Sequence, residues 1–120
     1  MATAYKIIAQ TGSSGSTGNG SQTLTATTNT NLYTVPAATS TVVSTIAVCN
    51  QAATTATYRI AVRPAGATLA AQHYIVYGAS VNGNDSTILT IGMTLATTDV
   101  VTVYCSAATV SFTMFGSEIS

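Results

Sequence analysis

The chain predicts an all-β fold, an antiparallel β-sandwich of about eight strands, and three observations carry that prediction. From Thr23 onward β-branched residues are dense. Clusters of turn-forming residues interrupt them every 8–12 residues or so. No segment holds a helical period: the one Ala-rich stretch, "AGATLAAQHY", begins beside Pro64 and reads as a loop crossing between strands. Without helices to cover a sheet, an all-β chain of 120 residues must pack two sheets face to face or close into a barrel.

The elements follow in order. Tyr5 to Ala9 is a short apolar segment, and "QTGSSGSTGNGSQ" after it carries too many glycines among Ser, Thr and Asn to hold a regular element. Residues 1–21 are therefore expected to form an N-terminal arm and flexible linker, and residues 22–120 the sandwich domain. The Gly-rich run is no phosphate cradle, because the Gly-Lys-Ser/Thr ending of a P-loop is absent.

Thr41 to Cys49 alternates Val43, Thr45, Ala47 and Cys49 on one face with Val42, Ser44, Ile46 and Val48 on the more apolar one. In "TATYRIAVRPAG", Tyr58, Ile60 and Val62 point inward, while Arg59 and Arg63 share the outer face. Pro64 and Gly66 end that strand, and the next is expected from Gln72 to Tyr77. The Asn-Gly pair in "NGND" (82–85) predicts a hairpin into "STILTIGM". Asp99 opens "DVVTVYC", with Val101, Val103 and Cys105 on one face. The last strand carries Val110, Phe112 and Met114 in step.

Charge bounds the partners. Only 5% of residues are charged, against roughly 25% in an ordinary globular chain, and the three basic and three acidic residues cancel. Three basic residues cannot build the Lys/Arg patch that nucleic acid requires. No run reaches the ~18 apolar residues of a membrane helix, and the N-terminus lacks the apolar region of a signal peptide, so an aqueous, cytosolic setting is expected. An uncharged surface of Thr, Ser, Asn and Gln favours self-association, and a homo-oligomer is expected.

Residues for chemistry are sparse. His73 is the single histidine, which leaves no second imidazole for a metal and no nucleophile elbow to complete a triad with Asp85 or Asp99. Paired carboxylates would have to come from Asp85, Asp99 and Glu118, of which the first two are better explained by turns. The Asn82 to Asp85 run lacks the spaced acidic ligands of a calcium loop. No enzyme activity, metal or cofactor is expected. Six tyrosines raise the question of a sugar-stacking platform, but Tyr74 and Tyr77, at odd separation, should point to opposite faces, and Tyr104 has core parity. Cys49 and Cys105 sit among Val and Ala as buried free thiols would, with a disulfide between them the alternative.

The blocks Tyr-Thr-Val-Pro-Ala (33–37), Arg-Pro-x-Gly-Ala-Thr-Leu (63–69) and Thr-Asp-Val-Val-Thr-Val-Tyr (98–104), with "YKIIAQ" before them and "FGSEI" after, occur here in that order. As a set they resemble a family of small virion structural proteins of tailed bacteriophages, cyanophages among them, over residues 22–120 plus Tyr5 to Gln10. The Gly/Ser-rich insertion at 12–21 departs from the more compact join of that family. The resemblance implies a non-enzymatic protein of the virion, assembled in the host cytoplasm. Its expected role is a capsid decoration or cement protein whose partners are the major capsid protein or tail proteins. The alternative is a tail, baseplate or fibre component that binds a host-surface glycan through loops such as Ala65 to Gln72 or Asn82 to Asp85. In the decoration reading Tyr5, Lys6, Ile7 and Ile8 form the assembly arm, and removing residues 1–21 is expected to leave the sandwich folded.

Overall fold

The structure is a computed structural model that describes residues 3–13, 15–18 and 23–120. Among the described residues nine strands form two antiparallel sheets: β1 (Thr3–Gly12), β2 (Gly15–Gly18), β3 (Thr30–Thr34), β4 (Ser40–Asn50), β5 (Ala56–Arg63), β6 (Tyr74–Val81), β7 (Asp85–Leu95), β8 (Val100–Cys105) and β9 (Val110–Ile119). One sheet has the order β2-β1-β9-β4-β7 and the other β3-β8-β5-β6. The all-β sandwich expected from the sequence is what the chain forms. The loop between β5 and β6 holds only two single 3-10 turns, Pro64–Gly66 and Ala71–His73. Among the described residues no helix is long and apolar enough to cross a membrane.

The pairing is nested. β5 pairs with β6, β4 with β7, β3 with β8 and β1 with β9, as if one long hairpin centred on the β5–β6 loop had been rolled up. Eight strands paired this way in two sheets make a jelly roll. Nesting overturns the expected hairpin at residues 82–85, because β6 stays with β5 in one sheet while β7 crosses to β4 in the other. The Asn-Gly pair turns a corner between the sheets. The buried amide of Asn50 holds that corner, donating to the carbonyls of Thr54 (2.8 Å), Val81 (3.3 Å) and Asn82 (3.3 Å).

The N-terminal segment is not a separate arm. β1 lies inside the larger sheet against β9, burying Ile8, Ala9 and Thr11, and β2 folds back on it with Gly12 opposite Gly15. Residues 14 and 19–22 of the expected linker lie outside the described residues.

β-Bulges decide which side chains reach the core. The register slips at Ile8 in β1, at Ser44 in β4 and at Ile91–Gly92 in β7, where Gly92 takes φ +66°. An extra residue on one strand reverses the inward parity beyond it. β4 therefore buries Thr41 and Val43 before the slip and Ile46, Val48 and Asn50 after it. The face assignment from strict alternation holds for its second half and is reversed in its first. Leu32 in β3 is another such residue, and it and Tyr33 are both buried. Where no bulge intervenes the alternation holds: Tyr58 and Ile60 are buried, as are Val101, Val103 and Cys105, and Val110, Phe112 and Met114.

Candidate functional site

The outer face of the larger sheet carries an apolar patch. Ile7 of β1 stands opposite Phe115 of β9, and Tyr5 opposite Ser117, which in turn faces Val42 of β4. Tyr5 is 85% exposed and Ile7 52%, beside the partly exposed ring of Phe115. The four predicted assembly residues thus divide. Tyr5 and Ile7 share this patch. Lys6 has opposite parity and pairs with Glu118 at 2.6 Å. Ile8, on the bulge, is 2% exposed and belongs to the core. Strand parity accounts for that division, and Phe115 enters the patch from a strand over a hundred residues away.

Beneath the patch a polar chain links the sheets. Glu118 accepts from Lys6 and from the phenol of Tyr33, whose oxygen also contacts Thr41 Oγ1 at 2.8 Å. Burial opposes the charge on Glu118, but the hydrogen bonds from Lys6 and Tyr33 outweigh it and hold the carboxyl below its ordinary value. Burial, reinforced by the bond to Glu118, raises the Tyr33 phenol.

Asp99, Asp85 and His73 are engaged by turns. Asp99 accepts from the amides of Ala65 and Ala96, each at 2.9 Å, and Asp85 from the amide of Ser86 at 2.8 Å. His73 is buried at the end of a 3-10 turn, where its Nδ1 accepts from the Ala70 amide at 3.0 Å. Among the described residues no group of three or more His, Cys, Asp and Glu side chains could hold a metal. Cys49 and Cys105 are both free. Cys105 is buried, and Cys49, on the outward side of β4, is half-buried.

No family model, curated protein or solved structure matches the chain.

The outer face of the smaller sheet holds a cluster that strict alternation hides. Arg59 of β5 lies directly between Tyr77 of β6 and Tyr104 of β8 in register. Its guanidinium carbon sits 4.3 Å from the centroid of each ring. Tyr104 thus points outward, against its expected core parity, which follows from Val101, Val103 and Cys105 pointing inward on the same strand. Tyr74 and Tyr77 also share the face, with ring centroids 4.9 Å apart at 85°. Their odd separation permits this because Ile75 is an extra residue: Tyr74 pairs with Ala61 and Val76 with Ile60. A cleft of about 650 Å³ opens beside them, lined by Leu69, Ala70, Ala71, Tyr74 and Tyr77.

Proposed function

We propose that the chain is a non-enzymatic virion structural protein of the bacteriophage family its sequence blocks resemble, acting as a capsid decoration or cement protein. The observation that carries this reading is the Tyr5–Ile7–Phe115 patch, on a sheet face that no other described element covers. Such a patch loses little by desolvation when a protein surface covers it, since an interface core is apolar and depleted of charge. Lys6, the cation nearest to it, is already paired with Glu118. Jelly rolls serve in viral capsids and in lectins, with function carried by the surface grafted onto them.

The partner is the shell protein, and self-association into a homo-oligomer is favoured by the near absence of like-charge repulsion. The test is co-sedimentation with purified capsids and with separated tails, using the unaltered chain and Ile7→Lys. Capsid binding that Ile7→Lys removes, with the fold retained by circular dichroism, supports the reading. Binding to tails alone, or capsid binding indifferent to Ile7, rejects it.

A second reading places the protein on the tail or baseplate as a glycan-binding component. The tyrosine-lined cleft at Leu69–Tyr77 favours it, because amphipathic aromatic rings at a half-exposed surface suit sugar C–H faces. One of the two loops expected to bind, Ala65 to Gln72, supplies part of that cleft. The other, Asn82 to Asp85, forms the corner between the sheets.

A further inference from the structure

Of the three basic side chains, two have polar partners within the chain. Lys6 is paired with Glu118. Arg63 donates to Thr102 Oγ1 at 3.0 Å, to the Ala67 carbonyl at 3.1 Å and to Asn31 Oδ1 at 2.9 Å. Among the described residues Arg59 has neither a carboxylate nor a hydrogen-bond acceptor; its contacts are the two rings. Among the described residues no buried side-chain nitrogen or oxygen lacks a partner, so the guanidinium nitrogens of Arg59 reach solvent.

The geometry gives those nitrogens a direction. A guanidinium is planar and its five N–H groups lie in that plane. With a ring on each side, 4.3 Å from its central carbon, approach from those two sides is closed and the N–H groups that face solvent remain available. Stacking between Tyr77 and Tyr104 orders the side chain before any ligand arrives, and arginine, being weakly hydrated, tolerates that position better than lysine would. A pre-ordered fork with an open edge matches the two oxygens of a carboxylate.

Tyr77 belongs to both features. It stacks on Arg59 and also lines the apolar cleft with Tyr74 and Leu69. A ligand seated there meets an anion receptor and an aliphatic and aromatic wall side by side. The free edge of β6 is broken at Ile75 and Gly78, so an extended peptide cannot lengthen this sheet by a continuous ladder. A single guanidinium also does not make a surface for polyphosphate.

We propose that the Tyr77–Arg59–Tyr104 stack and the adjoining cleft form a site for an acidic saccharide, with a uronate carboxylate on the Arg59 fork and the sugar ring against Tyr77 and Tyr74. This site rests on the glycan-binding reading above and is independent of docking to a shell.

The experiment is a calorimetric titration of the full chain with oligogalacturonate, with its methyl ester and with a Glu-rich hexapeptide. The acid form is expected to bind at least ~10-fold more tightly than the ester, as a charge-assisted bidentate pair would give, and more weakly as salt is raised. Arg59→Gln should bring the acid down to the level of the ester, and Arg59→Lys, which keeps the charge but not the fork, should recover only part of the preference. Equal binding of acid and ester overturns the Arg59 site while leaving the glycan reading standing. Binding of neither saccharide removes both. Tighter binding of the peptide overturns the saccharide assignment. Should Arg59→Gln not fold, the acid-to-ester ratio of the unaltered chain and the Arg59→Lys result still decide.

Discussion

The Tyr33 phenol, on the edge strand of the smaller sheet, donates to the Glu118 carboxylate on the larger one. With Lys6 and Thr41 on that larger sheet, the two residues make a polar tie between the sheets. Such a tie is costly to break by halves, since removing one partner leaves the other desolvated and unpaired.

That tie makes stability depend on acid. The folded chain holds the Glu118 carboxyl below its unfolded value of about 4.3. Its contribution is therefore complete above the unfolded value and is lost as the pH falls through the lowered folded one. Urea unfolding at a series of pH values should show a steeper acid loss for the unaltered chain than for Glu118→Gln. Tyr33→Phe should cost about 1–2 kcal/mol at neutral pH. Parallel acid profiles for the chain and Glu118→Gln would contradict the assignment.

Gly116 is required by close approach. A Cβ there would overlap the Val42 carbonyl oxygen and press on Ile8 Cδ1. Gly116→Ala should lose about 1–3 kcal/mol as overpacking does, and Ile8→Val should not rescue it, because the backbone contact remains. Gly12→Ala, whose Cβ would meet only Ser111 at 3.5 Å, is the tolerated control in the same thermal melts.

Removing residues 1–21 should unfold the chain. The expectation from the sequence was a sandwich complete from Thr23, but β1 covers β9 and supplies Ile8 and Ala9 to the core. Ile8→Ala alone should cost about 2–5 kcal/mol, a large part of the ~5–15 kcal/mol that holds a domain together. A truncated chain with a cooperative melt near that of the full protein would restore the separate-arm view.

The two thiols should react in sequence. Burial raises the Cys105 thiol, and only the thiolate is nucleophilic. A disulfide-exchange reagent should titrate half-buried Cys49 in the native protein and Cys105 only after unfolding. Simultaneous reaction of both would show that β8 opens in the native state.

The sequence by itself determined the class of fold and most of the core. Val, Ile and Thr at period two fixed sheets over helices, because strand periodicity is a local property of the chain. The tertiary structure alone decided the nesting of strands and the faces beyond each bulge. Asn82-Gly83 carries a hairpin signal, yet β7 pairs with β4 because rolling the whole chain buries more than one local ladder could. Tyr74 and Tyr77 share a face, and Ile8 and Ala9 are both buried, because Ile75 and Ile8 are extra residues in their ladders. An extra residue is defined only against the partner strand, and the partners of β1 and β4 lie far along the chain.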